Sequence, residues 1–303
     1  MSGHTAAPLT EIELLSDAGP PVPTLLAVKL LEHCAVYRQG GTQYVDYFGE
    51  ALTIFDDQFH RVRIHSGNPD RLFELAFLAV HSVLGQKLDR LGLCRLHGLG
   101  VSLPGINAIV MLPSKGGKST LLKNLLENPQ VKIISDDMPL CNQRGQIFPF
   151  PAKISLSTPP VAGPLSQLAW HEFKRHHYPT KWTASLAALD ERIEKNSHSN
   201  RTLLIAGLRL SNGNSSLFEV PKWKMAAPLL EHMIMGFGLP QILEMLLKFN
   251  PTDLCKLFLH ALHRTASAFN LARTSRCYHF HLGPDRVHNA KLLLDLLYEH
   301  KAS

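Results

Sequence analysis

Apolar residues along this chain fall into short runs in some places and recur at helical spacing in others, which predicts a mixture of strands and helices. Between residues 25 and 67 the apolar runs are separated by turn residues, a pattern typical of strands. From about Pro69 to Leu91 the apolar residues follow helical spacing and predict a helix. Residues 160–200, rich in His, Lys and Pro, favour neither. Further strands are predicted at 93–103, 107–112, 131–135, 146–156, 201–220 and 276–282, and further helices at 118–128, 226–248, 252–273 and 284–298.

The order of these elements predicts an α/β fold in which a mixed β-sheet is flanked by helices. Residues 1–24 contain four prolines in weakly periodic sequence and are predicted to be a flexible arm. Residues 25–91 are predicted to form a smaller N-terminal α+β region. Residues 92–303 are predicted to form a larger domain, which carries the motifs described below.

The composition is that of an ordinary globular protein, with 45% hydrophobic and 18% charged residues in a chain of 303. The net charge of +6 suits an anionic ligand, but the basic residues are scattered, so nucleic-acid binding is not expected. The five cysteines form no C-x-x-C pair, and the sequence shows neither a signal peptide nor an uninterrupted apolar stretch that would span a membrane. We therefore expect a cytoplasmic protein.

One segment, residues 112–120, has the features of a phosphate-binding loop. It follows an apolar run and precedes an amphipathic one, so it is predicted to join a strand to a helix. Such a loop offers backbone N–H groups and a helix N-terminus to phosphate oxygens. Lys118 would neutralise phosphate charge, and the Ser119 hydroxyl would bind Mg²⁺. The predicted nucleotide-binding residues are Ser114, Lys115, Gly116, Gly117, Lys118, Ser119 and Thr120.

Leu112 occupies the position at which the P-loop pattern G-x-x-x-x-G-K-[ST] has its first glycine. Without that glycine, the first turn of the loop must form from a residue that does not adopt positive φ freely. The alternative interpretation is a strand, a turn and a helix in which Gly-Gly-Lys-Ser only begins the helix.

Two adjacent carboxylates, Asp136 and Asp137, follow the predicted strand at 131–135. If this strand lies beside the strand that precedes the loop, its carboxyl end is near the bound phosphates. One carboxylate would then hold Mg²⁺, and the other would accept the proton of an attacking hydroxyl. The alternative is that the pair closes the strand as an Asx turn or a helix cap.

Other polar residues are candidates for the same site. His97, on the strand before the loop strand, would keep an aspartate deprotonated or donate to a phosphate oxygen. The alternative is a core histidine, which is the commoner role of a lone His beside apolar residues. Lys153 is the preferred cation for the charge that develops during phosphoryl transfer, and Lys115, Arg201 and Arg209 are the other candidates.

The chain also contains seventeen histidines, which raises the question of a metal site. His171, Glu172, His176 and His177 lie close together in sequence, but they lack the H-E-x-x-H arrangement. We interpret this segment as solvated, with recognition of an acceptor as its candidate role, in preference to a metal site.

The combination of these motifs resembles the HPr kinase/phosphorylase family. In that family a His-Gly pair precedes the phosphate loop, and an Asp-Asp pair ends the strand after the loop helix. The resemblance covers roughly residues 93–156, and Leu112 and Lys115 stand where the family has glycines. Residues 145–151 look like those of related bacterial proteins. The residues that match the family are His97, Gly98, Ser114, Lys118, Ser119, Asp136 and Asp137.

This resemblance implies a phosphoenolpyruvate-carboxykinase-like nucleotide-binding core that transfers a phosphoryl group from ATP, with Mg²⁺, to a Ser hydroxyl. Lys118 would bind the β- and γ-phosphates, and Ser119 and Asp136 would bind the metal. Asp137 would be the general base, with Asp136 paired to His97. The assignment of the two aspartates stays open at this point.

Two functions from different classes follow. The first is an HPr-kinase-like serine kinase that acts on a protein, a peptide or a small metabolite. The second is a catalytically inactive nucleotide-binding regulatory or scaffold protein of the same fold, for which Leu112 is the reason. A transporter ATPase or a GTPase is disfavoured, because the sequence has neither Leu-Ser-Gly-Gly nor Asn-Lys-x-Asp. The acceptor and the oligomeric state, a homo-oligomer included, are left open.

Overall fold

A computed structural model describes residues 10–23, 27, 29–56, 60–175, 178–237, 239 and 251–301. The chain divides into two compact units. The first consists of residues 1–87, 173–180 and 240–249, and the second of residues 88–172, 181–239 and 250–303. The strands and helices described below confirm the predicted mixture of α and β structure.

The first unit contains a six-stranded sheet and most of one long helix. Strand β1 runs parallel to β6, and the other neighbouring strands are antiparallel, in the order β1-β6-β5-β4-β3-β2. Buried residues of the sheet, such as Val45 and Ile64, cluster with Leu75 and Ala79 of the helix. The elements are β1 (Glu11–Leu15), β2 (Lys29–Leu30), β3 (Ala35–Gln39), β4 (Thr42–Asp46), β5 (Leu52–Asp56), β6 (Arg61–His65) and α1 (Pro69–Arg90).

Strand β1 corrects one prediction, because it lies within the segment that was expected to be a flexible arm. Glu11–Leu15 pairs with β6 along its whole length, and Ile12 packs against the buried cluster of this unit. The prediction failed because five alternating residues give a weak local signal, and this strand is held by a partner about fifty residues away. Residues 1–9 and 24 lie outside the described part of the chain.

The second unit contains the predicted loop and most of the remaining elements. Residues 173–180 of β14 and β15 belong to the first unit. The strands are β7 (Leu93–Arg95), β8 (Leu99–Leu103), β9 (Ile106–Met111), β10 (Lys132–Ser135), β11 (Leu140–Asn142), β12 (Ile147–Phe148), β13 (Lys153–Leu156), β14 (His171–Arg175), β15 (Tyr178–Ser185), β16 (Arg201–Arg209), β17 (Ser216–Glu219) and β18 (Arg276–Leu282). The α-helices are α2 (Lys118–Leu125), α3 (Ala226–Leu229), α4 (Pro251–Thr274) and α5 (Arg286–Lys301), with 3₁₀ helices at Leu186–Arg192, Ser197–Ser199 and Lys222–Met225 and a π-helical turn at Leu230–Ile234.

The main sheet of this unit has six strands in the order β10-β8-β9-β16-β18-β17. Its central strands β9, β16 and β18 are parallel to one another, and the outer strands are antiparallel to their neighbours. The apolar runs of the central strands are long because both faces of the sheet are buried. Val110 and Ile205 cluster with α2 and α5, whereas Ile109 and Leu204 cluster with α3 and α4.

Several predicted boundaries differ from the structure. The helix predicted at 226–248 is divided into the short α3 and the π-helical turn, and residues 238 and 240–250 lie outside the described part of the chain. The strand predicted at 201–220 is two strands, because Gly213, with a φ of 111°, lies in the turn between β16 and β17. Among the described residues, no helix combines the length and the apolar character needed to cross a membrane.

Candidate functional site

The loop between β9 and α2 ends at a helix N-terminus whose cap position is a glycine. Gly117 has a φ of 98°, a left-handed conformation that glycine adopts freely. The first turn of α2 contains no acidic residue, and the first N–H groups of a helix have no acceptor within the helix. These donors can bind an anion, as predicted for a phosphate-binding loop.

Leu112, which replaces the first glycine of the P-loop pattern, is fully buried in the core of the second unit. It belongs to the same cluster as Leu121 and Ile205. A Cβ atom built on Gly207 would lie 2.5 Å from Leu112 Cδ2, so the missing side chain at Gly207 leaves the space that Leu112 fills. The leucine therefore packs in the core beneath the loop.

The tip of the loop is exposed at Ser114 and Lys115. Lys115 has a φ of 64°, in the left-handed region that favours glycine. The N–H group of Gly116 donates to the carbonyl of Pro113 at 2.9 Å and closes the turn. The backbone of the loop thus forms a tight turn without the first glycine.

Lys118 is buried at the end of the loop among polar groups, with 8% of its surface exposed. Its ammonium group donates to the carbonyl of Leu112 at 3.0 Å, lies 2.8 Å from His97 Nε2, and is 3.6 Å from Asp137 Oδ1. Burial lowers the pKa of Lys118, and the charges of Asp137 and Asp136 oppose that effect. A buried lysine held by one carboxylate can exchange these contacts for a phosphate.

Asp136 is buried, with 4% of its surface exposed. One oxygen, Oδ2, accepts a hydrogen bond from Ser119 Oγ at 2.8 Å. The other, Oδ1, is buried and has no hydrogen-bond partner among the described residues. Burial, together with the charge of Asp137, raises the pKa of Asp136 to about 6. This carboxylate is therefore incompletely satisfied in the protein alone.

Asp137 has the opposite environment, since 47% of its side chain is exposed. Its Oδ1 lies 3.3 Å from His97 Nε2, so the histidine pairs with Asp137 and not, as the resemblance had implied, with Asp136. Partial removal of the carboxylate from water would raise the pKa of Asp137. The hydrogen bond from His97 and the positive charge of Lys118 outweigh this effect and hold that pKa well below its usual range. Asp137 is an ionised carboxylate that a molecule from solution can reach.

The sheet order explains how both aspartates come to the loop. Strand β10, which they follow, does not lie beside β9 as the prediction assumed, because β8 lies between them. Since β8 is antiparallel to both, β10 and β9 run in the same direction and their carboxyl ends lie at the same edge of the sheet. The aspartates therefore lie at the expected edge of the sheet, but the strand beside β10 is β8 and not β9.

His97 lies between β7 and β8, in the connection and not within a strand as predicted. It is buried, and its Nε2 atom is within hydrogen-bonding distance of both Lys118 and Asp137, so it accepts from the ammonium or, when protonated, donates to the carboxylate. The histidine is thus one of the residues that the structure brings together at the loop. Its catalytic role stays a prediction.

A second histidine, His232, was not predicted. Its Nδ1 lies 3.2 Å from His97 Nδ1, and the N–H group of His97 donates to the His232 carbonyl at 2.9 Å. Burial and the charge of His97 lower the pKa of His232 to about 4, so the ring is neutral at pH 7, and the two Nδ1 atoms share one hydrogen bond. His232 stands in the π-helical turn, 135 residues from His97, and the sequence around it gives no sign of this contact.

The four predicted cations have different positions. The charge of Lys153, at the start of β13, lowers the pKa of both Asp136 and Asp137, and its ammonium group donates to Ser155 Oγ at 2.9 Å. Lys115 lies at the exposed tip of the loop, and Arg209 ends β16 at the edge where the loop lies. Arg201 was a wrong candidate, because it begins the same strand at the opposite edge and donates to the carbonyl of His300.

Lys181 is another cation that sequence reasoning missed. Its positive charge lowers the pKa of Lys118, which places it within electrostatic range of the loop. It lies on β15, in the stretch for which no secondary structure was predicted. The missing signal was the strand itself, which pairs with β13 and places Trp182, the neighbour of Lys181, opposite Leu156.

The histidine-rich segment at 171–177 has only part of its residues in the described structure. His171 and Glu172 lie on β14, and His176 and His177 lie outside the described part of the chain. Among the described residues, no group of three or more His, Cys, Asp or Glu side chains is arranged to hold a metal ion. One carboxylate with a serine hydroxyl, as at Asp136 and Ser119, is instead the set with which proteins bind Mg²⁺ together with substrate phosphates.

Comparison of the sequence with models of known protein families and with curated proteins found no match.

Proposed function

We propose that this chain is a kinase of the HPr-kinase-like kind, with a phosphoenolpyruvate-carboxykinase-like core, which uses ATP and Mg²⁺ to phosphorylate a serine-type hydroxyl. One observation carries the proposal: Lys118, at the end of the loop, lies 3.6 Å from the exposed carboxylate Asp137 and 2.8 Å from His97. The proposed phosphate-binding cation is thus adjacent to the proposed base, which solution can reach. That arrangement suits phosphoryl transfer, in which positioning and charge supply most of the catalysis.

Phosphate binding would use groups that are already in place. The N–H groups at the start of α2 would donate to phosphate oxygens, and the ammonium of Lys118 would leave the Leu112 carbonyl for the β- and γ-phosphates. The interior position of Lys118 strengthens its attraction for an anion, because little water screens the charge.

Asp136 and Ser119 fit a Mg²⁺ ion. The fit rests on Asp136 Oδ1, which is buried without a hydrogen-bond partner among the described residues, and on the Ser119 hydroxyl beside Oδ2. Oxygen ligands of this kind are those that Mg²⁺ prefers. When bound, the ion would supply positive charge to the phosphate oxygens.

Asp137 would accept the proton of the acceptor. The hydroxyl oxygen of the acceptor would form a bond to the γ-phosphorus, the bond from that phosphorus to the β-phosphate oxygen would break, and ADP would leave. The hydroxyl proton would pass to the Asp137 carboxylate. Its low pKa makes it a weak base, but a loose transition state removes little charge from the hydroxyl until late in the reaction. Of the two aspartates, only Asp137 is exposed to an acceptor.

Lys153 would stabilise the charge on the transferring phosphoryl group, because its positive charge already acts on both aspartates. We further propose a cytoplasmic location, and as acceptor a protein, a peptide or a small metabolite. The second candidate, a nucleotide-binding protein without catalysis, is favoured by the low basicity of Asp137 and by the buried Leu112 in place of glycine.

The test measures nucleotide binding and phosphoryl transfer separately. Binding of Mg²⁺-ATP is followed by calorimetry, and transfer is followed with γ-labelled ATP and fractions of a cell lysate that contain proteins or small metabolites. We expect Asp137→Asn to retain ATP binding and to lower transfer about 100-fold or more. Lys118→Ala should lose binding as well.

Lys123→Ala, on the same helix α2, is the matched control and should change neither quantity. Binding of Mg²⁺-ATP without transfer to any acceptor would favour the inactive scaffold. Undiminished transfer by Asp137→Asn would show that another group is the base. Absence of Mg²⁺-ATP binding would refute both candidates.

A further inference from the structure

Helix α4 has an exposed face that is apolar, in addition to the apolar face that it buries. The buried face includes Ala268 and Leu271, which belong to a core cluster of the second unit. On the other side of the helix, four large apolar side chains have about half or more of their surface exposed. They are Phe258 at 64%, Leu259 at 56%, Leu262 at 48% and Phe269 at 67%.

Charged residues are missing from this outer face, although a surface helix normally places them there. Between residues 257 and 272 the sequence contains no Asp, Glu or Lys, and its one Arg is Arg264. The Arg264 guanidinium donates to both carboxylate oxygens of Asp89, at 2.6 and 3.2 Å, and to the Ile234 carbonyl at 3.2 Å. It is thus turned toward the protein. A helix that is apolar on both faces is typical of one that is covered on both.

The size of the surface suits a protein interface. The exposed residues Met235 and Phe237 follow the carbonyl to which Arg264 is bonded, and they extend the apolar surface at the side of the helix. With the four residues of α4, they expose on the order of 600 Å², of which the phenylalanines supply more than half. Each partner in a stable complex buries roughly 800 Å², so this surface supplies most of that area.

The spacing along the outer face is symmetric about its centre. Phe258, Leu262, Thr265 and Phe269 are separated by four, three and four positions, so the pattern is the same from either end. Intervals of three and four residues are those with which packed helices interlock their side chains. If two copies of α4 lie antiparallel about a two-fold axis between positions 263 and 264, Phe258 faces Phe269 of the second copy, and Leu262 faces Thr265. An isologous contact requires this reciprocity.

The centre of the face has side chains short enough for two helices to approach each other. Thr265 and Ala266 are exposed and lie between the two phenylalanines. The Thr265 hydroxyl donates to the Ala261 carbonyl at 2.8 Å, so its burial would leave no unpaired donor. Large side chains at the ends and small ones at the centre allow two identical faces to interdigitate.

We propose that two copies of this chain associate through the outer faces of their α4 helices, which lie antiparallel about a two-fold axis. A partner of another kind would need the apolar residues but not their symmetric order, which is why a second copy is the occupant that fits. The chain carries a net charge of +6, which opposes self-association, and this face brings neither Lys nor Arg against its own copy. The proposal does not depend on the proposed kinase activity.

The first test measures the mass of the full chain in solution by sedimentation velocity at micromolar concentrations. We expect the natural chain to have twice the mass of one copy. Leu262→Glu places two carboxylates near the axis of the apolar contact and should weaken the association about 100-fold or more. Val287→Glu, at a 72% exposed apolar position on α5, is the matched control and should leave the dimer intact. Both variants should retain the circular dichroism of the natural chain, because both side chains are exposed.

Cysteine cross-linking tests the two-fold arrangement. In the antiparallel pair the two copies of residue 265 lie about 4.5 Å apart along the helix axis, since each is one and a half residues from the centre. A short bis-maleimide should therefore join two chains of Thr265→Cys. Lys291→Cys, an exposed position on α5, and the natural chain are the controls and should remain unlinked.

A natural chain that stays monomeric would overturn the proposal, whether or not it binds to lipid vesicles or to another protein through this face. A dimer that Leu262→Glu leaves intact would overturn it as well, because the contact would then lie elsewhere. A dimer that Leu262→Glu disrupts but that Thr265→Cys does not cross-link would refute the antiparallel two-fold arrangement.

Discussion

The loop between β9 and α2 begins at Leu112, which is buried among apolar side chains, and ends at Lys118, which is buried among charged and polar ones. At the first end, the side chain is held by packing against Gly207 and the surrounding core. At the second end, two ionisable groups, those of His97 and Asp137, hold the lysine, and the three groups lie within 3.6 Å of one another. The two ends belong to one segment of seven residues, but apolar packing holds the first and polar and charged contacts hold the second.

The difference has a consequence for stability. Packing of apolar groups does not change with pH, so the Leu112 end should contribute the same free energy of unfolding under all mild conditions. The Lys118 end contains groups whose pKa values are shifted by the fold, so its contribution must change with pH and with bound ligand. Substitutions at the two ends therefore separate the two kinds of contribution.

The largest effect is expected at Leu112. Leu112→Ala should lower the free energy of unfolding by about 2–5 kcal/mol, because it removes buried methyl groups and leaves a cavity. The loss should be the same at pH 5 and pH 8. Chemical denaturation at both values measures it.

Gly207→Ala provides the control for this prediction. Alone, its new Cβ would meet Leu112 at 2.5 Å and lower the stability by about 1–3 kcal/mol. Combined with Leu112→Ala, it should lose less stability than the sum of the two single variants, because the new methyl occupies part of the cavity. An additive double variant would mean that the two residues are not packed together as described.

Leu112 also marks the limit of what the sequence could predict. Apolar periodicity located β18 at its observed bounds, and it placed α1 to within a residue of its end at Arg90. These are local patterns. The space for Leu112 depends instead on Gly207, 95 positions away, where the glycine signals no contact. Local reasoning therefore identified the unusual leucine but could not say where its side chain goes.

The candidate site was predictable to a similar extent. The motifs named His97, Lys118, Asp136 and Asp137, and the structure brings them together at one edge of the sheet. Their different burial was not predictable, since it depends on how β10 packs beyond β8. His232 was missed because a histidine in a π-helical turn has no local pattern that distinguishes it from sixteen others. The roles of these residues stay predictions.

The second prediction is that a substitution at Asp136 raises the free energy of unfolding, whereas Leu112→Ala lowers it. The fold raises the pKa of this carboxyl from 3.8 to about 6, so the folded state binds more protons than the unfolded state between these values, and stability falls as the pH rises through them. Asp136→Asn removes this loss. The variant should be more stable than the natural chain by up to about 3 kcal/mol at pH 7.5 without divalent cations, and the difference should vanish below pH 4.

Magnesium distinguishes this effect from a general gain in stability. MgCl₂ should raise the unfolding midpoint of the natural chain and should have less effect on Asp136→Asn, because the variant lacks the carboxylate that would bind the ion. Asp295→Asn, which neutralises an exposed carboxylate on α5, is the control and should change neither the pH dependence nor the response to Mg²⁺. An equal response of all three proteins would remove Asp136 from the proposed metal site.

The smallest effect is expected at His232. His232→Leu removes the hydrogen-bond partner of His97 Nδ1 and should lower the free energy of unfolding by about 1–3 kcal/mol above pH 6.5. The fold lowers the pKa of His232 from 6.5 to about 4, so the natural chain loses stability as the pH falls through this range. The difference between the two proteins should therefore shrink toward pH 4. Denaturation curves from pH 4 to pH 8 measure it.

His232→Gln keeps a hydrogen-bond acceptor without a group that titrates, and it separates the two contributions. If His232 acts on His97 through the hydrogen bond, the glutamine variant should retain most of the stability at pH 7 but lose the dependence between pH 4 and 6.5. A loss equal to that of leucine would show that the shape of the imidazole matters more than its acceptor. Asp136 and His232 change the free energy of unfolding in opposite directions over this pH range, so their effects can cancel in the natural chain. The Asp136 and His232 variants would still separate the two effects. Leu112→Ala should leave the shape of the stability profile against pH unchanged.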